Sequence, residues 1–158
     1  MEKFQNSIEF NEIITDLKNK NFLEALKKIK PASVNYPNEN IILKLYAIIY
    51  FNLNEWENAI KYYKKILNFE KETYKIFTNI GVSYFKLGKI NQSIDAFKNS
   101  IKNNPNFGLA HNNLGISYLE LGMYEKALDQ FIAALKLNDN DYQAQTNLIN
   151  TFNLSKPK

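Results

Sequence analysis

Gly81 and Gly115 lie 34 residues apart, and the residues around them repeat at the same interval. Ile80-Gly81 matches Leu114-Gly115, Tyr84 matches Tyr118, Gly88 matches Gly122 and Phe97 matches Phe131. A self-match at this period describes one supersecondary unit copied along the chain, each copy needing a neighbour to bury its apolar face. Such an array offers a surface for holding something rather than a pocket for converting it.

The clearest unit runs from Tyr74 to Phe107. Phe77, Ile80, Gly81 and Tyr84 fall on one face of a first helix. Gly88 follows its last turn, where a left-handed residue is needed. Ile90, Ser93, Ile94, Phe97, Ser100 and Ile101 mark a second helix, and Pro105 prevents its continuation. The next unit, residues 108–141, carries His111, Leu114-Gly115, Tyr118, Ala127 and Phe131, with Asp139 in the proline position. Upstream, residues 40–73 carry Leu43, Tyr46-Ala47, Tyr50, Ala59, Tyr63 and Ile66.

These residues resemble the tetratricopeptide repeat, whose pattern runs W-x2-L-G-x2-Y, then A-x3-F, then P. The resemblance implies an all-α fold, a right-handed superhelix of antiparallel helix pairs. About four repeats are expected in one domain over residues 1–158: a degenerate unit near 7–39, then 40–73, 74–107 and 108–141. In the first unit, Phe10, Ile13-Ile14 and Leu17 match the first helix, and Phe22, Ala25, Ile29 and Pro37 match the rest only with one residue deleted at the turn, near Lys18 to Asn21. A capping helix is expected at 142–154, with Leu148, Ile149 and Phe152 in packing positions, and a tail at 155–158. Glycine inside a helix costs roughly 0.5–1 kcal/mol relative to alanine. Gly81 and Gly115 make sense if their missing side chains admit a neighbour, with Ala25, Ala59, Ser93 and Ala127 keeping the facing position small.

Composition excludes several classes of function. There is no cysteine, so disulfides, thiolate metal sites and a thiol nucleophile are absent. His111 is the sole histidine and falls in an aromatic packing position. Asp139-Asn140-Asp141 lacks the glycine and distant glutamate of a calcium loop and stands where a helix needs a cap. No enzyme activity, cofactor or metal is expected. The most apolar stretch, Ile41 to Leu53, carries Lys44 and falls short of the about 20 residues that span a bilayer. The net charge of +4 comes from lysines interleaved with acids, without arginine, which argues against nucleic acid. The chain shows no leader-like apolar core at its start, and a cytoplasmic location is expected.

In this family the first helices line the concave side. Asn79, Asn113 and Asn147 share one position in successive first helices, and Leu45 breaks the series upstream. An asparagine amide can bond both the C=O and the N–H of an extended backbone while ignoring side chains. The row resembles the asparagine ladder of O-linked glycosyltransferase repeat superhelices, although no catalytic segment of those enzymes is present. Helices about 8–10 Å apart would let three rungs hold roughly five to six extended residues. Lys44, Leu45, Ile48, Lys75, Thr78, Val82, Asn112 and Ile116 are expected to flank the ladder. The stripe of Ile41, Lys44, Leu45 and Ile48 also reads as packing against the first repeat. The carboxylate clamp of repeats serving chaperone tails is not reproduced: Lys44 and Asn79 fit, but Ile48, Leu109 and Asn113 stand where Asn, Lys and Arg are needed.

The expected function is a protein–protein interaction module binding an extended peptide in the concave groove. Two other readings stay open. One is an N-terminal substrate-recruiting arm of a larger transferase-type enzyme. The other is self-association through the end helices.

Overall fold

A computed structural model describes residues 4–37 and 39–156. Among them, nine α-helices follow one 3-10 turn at Phe4–Asn6, and no strand occurs. The helices are α1 (Ile8–Lys18), α2 (Phe22–Asn35), α3 (Asn40–Asn52), α4 (Trp56–Ile66), α5 (Tyr74–Lys86), α6 (Ile90–Asn103), α7 (Gly108–Glu120), α8 (Tyr124–Leu137) and α9 (Tyr142–Ser155). They form two compact units, Met1–Glu70 and Lys71–Lys158. Unit 1 holds the pairs α1/α2 and α3/α4; unit 2 holds α5/α6, α7/α8 and the single helix α9.

Three residues join the helices within every pair, which folds each pair into a hairpin. Every turn contains one residue at positive φ: Lys20, Asn54, Gly88 and Gly122. The N–H after it reaches back to close the helix end. Asn21 bonds the Asp16 carbonyl, Glu55 that of Tyr50, Lys89 that of Tyr84 and Met123 that of Tyr118, all at 2.8–2.9 Å.

The deletion expected near Lys18 to Asn21 is therefore absent, because the first turn has the length and bonding of the other three. Ile13, fully buried, holds the place of Ala47, Gly81 and Gly115. The repeat pattern puts Ile14 there, one residue out of register. Lys20 hides the turn because lysine, unlike glycine, carries a side chain into a left-handed conformation.

Volume is balanced inside each hairpin at one facing pair. A β-carbon on Gly81 would lie 2.5 Å from Phe97 Cε1, and one on Gly115 would lie 2.6 Å from Phe131 Cε1. The glycines thus admit the phenyl ring of their own partner helix. In the other hairpins the pairs are Ala47 with Tyr63 and Ile13 with Ile29, all buried. An aromatic ring stands opposite glycine or alanine, whereas the branched Ile13 is paired with the smaller, aliphatic Ile29, which keeps the interior close to its packing limit.

The core of unit 1 begins before the first repeat. Phe4 is fully buried, with its ring 5.4 Å from Phe10 and 5.1 Å from Tyr36. Ser7 caps α1 by accepting from the Phe10 N–H at 3.1 Å, and its hydroxyl donates to the Phe4 carbonyl at 2.7 Å. One position set carries different chemistry in the two hairpins. Tyr46, Tyr50 and Tyr62 stack with centroids 4.7–5.9 Å apart. One repeat earlier, Lys28 Nζ lies 2.8 Å from Asp16 and 3.5 Å from Glu12. Burial pushes the Tyr50 and Tyr62 hydroxyls above the usual tyrosine value. The hydrogen bond to Asp16 holds the Lys28 ammonium above the usual lysine value.

In unit 2 buried hydroxyls add to the apolar contacts, one pair within a hairpin and one between hairpins. Thr78 and Ser100 meet at 2.8 Å between α5 and α6, and Ser93 meets Ser117 at 3.0 Å between α6 and α7. Asp141 caps α9 by accepting from the Gln143 and Ala144 N–H groups at 3.0 and 3.1 Å. Leu148 packs against the core of unit 2, whereas Ile149 and Phe152 are 59% and 54% exposed. That corrects the packing expected of these two. They correspond to Gly115 and Tyr118, which α8 covers, and among the described residues α9 has no such partner helix.

Candidate functional site

The first helices of unit 2, α5, α7 and α9, carry three equivalent columns of side chains. On α5 the column is Asn79, Val82 and Lys86; on α7 it is Asn113, Ile116 and Glu120; on α9 it is Asn147, Asn150 and Leu154. Steps of three and four residues keep each column on one helix face. Across the helices this makes an amide row, a mainly apolar row and a row of Lys86, Glu120 and Leu154 at the helix ends.

The three asparagines are half-buried. Their main chains share a second feature. The hydroxyls of Ser83, Ser117 and Thr151, all fully buried, donate to the carbonyls of Asn79, Asn113 and Asn147 at 2.8, 3.1 and 2.7 Å. A hydroxyl competing for an i−4 carbonyl loosens that helical bond and tends to bend the helix. The same hydroxyl-to-carbonyl bond therefore recurs at each rung. The side chains are not equivalent, however. Asn147 Nδ2 donates to Asn112 Oδ1 at 3.0 Å and pins α9 to α7.

Val82 and Ile116 line a half-open cavity of about 150 Å³ together with Phe85, Lys86, Phe97 and Asn113. Expected site residues Val82, Ile116 and Asn113 are thus brought together. Phe85, Lys86 and Phe97 were not expected there. The available signal was spacing, since Lys86 stands one helical turn beyond Val82.

Three other expected contact residues lie inside. Asn112 is 1% exposed and accepts from Asn147. Thr78 is buried against Ser100 and also donates to the Tyr74 carbonyl at 3.1 Å. Leu45 is buried in the core of unit 1 with Phe4 and Ile13. These side chains are closed to a ligand because they complete interior contacts. Lys75 is exposed, its ammonium 5.6 Å from the Tyr74 ring centroid.

In unit 1, Lys44 forms an ion pair with Glu70 and lies 6.0 Å from the Phe69 ring centroid. It lines a polar cavity of about 350 Å³ with Gln5, Glu39, Asn40, Ile41, Phe69 and Glu70. Ile41 packs against the core and Ile48 is exposed. His111 bonds within its own surroundings, Nδ1 3.0 Å from Gln130 Oε1 and Nε2 3.0 Å from the Pro105 carbonyl. A neutral ring donates to one and accepts from the other once the Gln130 amide is oriented to match. No helix among the described residues is long and apolar enough to cross a membrane.

Tetratricopeptide repeat models match residues 10–73 and, as two single repeats, 74–107 and 108–141. The chain belongs to the tetratricopeptide repeat family. Among solved structures, a crystal structure of MamA protein superposes with a TM-score of 0.80 at 20% identity, over 92% of this chain and 80% of that one. The first TPR of Spaghetti (RPAP3), bound to the HSP90 peptide SRMEEVD, gives 0.69 at 22% identity, over 73% and 91% of the two chains. The Arabidopsis OM64 TPR domain gives 0.69 at 15%, over 73% and 95%. Among curated proteins none matches this TPR chain in sequence. The TPR fold generally serves protein interaction rather than catalysis.

Proposed function

We propose that this protein is an interaction module that binds an extended peptide across α5, α7 and α9 of unit 2. The observation that carries the reading is the position of Asn113. Its amide stands at the wall of a half-open apolar cavity, beside Val82 and Ile116. Backbone and side chain of an extended ligand would therefore find partners at adjacent points. Asn79 and Asn147 place further amides one helix to either side. The RPAP3 relative, solved with a bound peptide, supports ligand binding on this fold. The residues of a chaperone-tail clamp are not reproduced here, so the ligand differs.

The test is selection from a displayed library of unstructured peptides, followed by titration of the enriched sequences. Asn79→Ala with Asn113→Ala removes two rungs while sparing Asn147, which also holds Asn112. At about 0.5–1.5 kcal/mol per net hydrogen bond, the variant should bind roughly fivefold to 150-fold more weakly. Equal affinity, with the variant folded by circular dichroism, would exclude the ladder.

The uncovered stripe on α9 favours a second reading, self-association. Tyr142, Ile149 and Phe152 are exposed together there. Light scattering that shows only monomers over a wide concentration range would eliminate it.

A further inference from the structure

The third row of the face carries charge of both signs. Lys86 ends α5 and Glu120 ends α7, at equivalent positions one repeat apart. Both side chains are exposed, and no ion pair joins them among the described residues. Lysine at a helix C-terminus complements the negative end of the helix dipole, so Lys86 has an intrahelical reason to be there. Glu120 has the opposite sign at the same end and is unfavourable to its own helix. Its placement has no local structural benefit, which directs attention to what lies across from it.

The cavity beneath this row completes the picture. Val82, Phe85, Phe97 and Ile116 provide its apolar walls, Lys86 its charged edge and Asn113 its amide. Its volume of about 150 Å³ compares with engineered apolar cavities that take up benzene. One phenyl or branched aliphatic side chain fits that space. Glu120 lies one helical turn beyond Ile116, outside the cavity lining, and adjacent helices pack about 8–10 Å apart. An extended chain rises about 3.3 Å per residue, so groups facing Lys86 and Glu120 are roughly two or three residues apart.

We infer that the face selects a peptide by one apolar side chain in the cavity, an acidic residue over Lys86 and a basic residue two or three positions away over Glu120. This inference rests on the peptide-binding reading. It adds a sequence preference and a single chain direction, because a reversed ligand would set like charges opposite each other. Exposed pairs are individually weak, so the charges act on orientation more than on affinity.

The experiment compares displayed-library selections on the wild-type protein and on the doubly swapped Lys86→Glu, Glu120→Lys variant. Both residues are exposed, and circular dichroism checks that the fold survives. The wild type should enrich an apolar residue beside an acidic one, with a basic residue two or three positions off in one order only. The swapped protein should enrich the same spacing with the charges inverted. A synthetic peptide of the wild-type motif should bind the swapped protein about fivefold to thirtyfold more weakly, a difference that shrinks in high salt. Filling the cavity with Val82→Trp should abolish the apolar preference. Enriched sequences without charge order, or the same order for both proteins, would overturn the inference and leave peptide binding standing. Absence of any enrichment by the wild type would overturn both.

Discussion

Replacing Gly115 with alanine sets two effects of opposite sign against each other. In an exposed helix interior the change gains about 0.8–1 kcal/mol from backbone propensity. Here the new β-carbon would stand 2.6, 2.8 and 2.9 Å from three atoms of the Phe131 ring. Carbon atoms in contact prefer about 3.5–4.0 Å, so the ring must retreat by roughly 1 Å. Phe131 is fully buried and has no solvent side to move toward. Overpacking of this kind costs about 1–3 kcal/mol, which leaves a net destabilisation of roughly 0–2 kcal/mol. Gly108→Ala is the internal control, because its β-carbon would meet nothing nearer than 3.7 Å. That change should be neutral or stabilising. Urea unfolding followed by circular dichroism measures both, with the fluorescence of Trp56, the single tryptophan, reporting unit 1 separately. Phe131→Leu should rescue part of the Gly115→Ala loss, giving a favourable coupling of about 0.5 kcal/mol or more in a double-mutant cycle. Stabilisation by Gly115→Ala, or strict additivity of the pair, would refute the ring-over-glycine account.

Three further outcomes are expected. Asn147→Ala leaves buried Asn112 Oδ1 without its donor and should cost about 1–3 kcal/mol in the same assay, while exposed Asn150→Ala stays within about 0.5 kcal/mol. Lys20→Gly should raise the unfolding midpoint by the equivalent of about 1 kcal/mol, because glycine adopts the left-handed turn without strain; a lower midpoint would mean the lysine side chain matters more than its backbone. Tyr50, Tyr62 and Lys28 all hold their protons more tightly when folded, so their contribution is full below their unfolded values and is lost as pH rises through the folded ones. Unit 1 should therefore weaken above about pH 10, with Tyr50→Phe and Tyr62→Phe reducing that loss when Trp56 fluorescence follows denaturation; an unchanged alkaline profile would count against it.

Much of the fold was legible because its signals are local. Gly88 and Gly122 mark two turns openly, and Pro105 stops a helix. The turn at Lys20 was misread because its residue type disguises the conformation, and the register of the first hairpin slipped by one residue with it. Phe4 was missed for a different reason. It lies outside the periodic pattern, and only packing against Phe10 and Tyr36 brings it into the core.

The candidate site divides in the same way. By itself the sequence determined the 34-residue period, the paired helices and the recurrence of asparagine in successive first helices. Those follow from side-chain spacing along one helix and from the backbone preferences of a few turn residues. Tertiary structure alone decided which of two neighbouring positions faces outward. Asn112 and Asn113 are adjacent and identical, yet one is sealed and the other lines the cavity. A buried amide is tolerated only where a partner satisfies it, and the partner of Asn112 is Asn147, brought to 3.0 Å by the packing of α9 against α7.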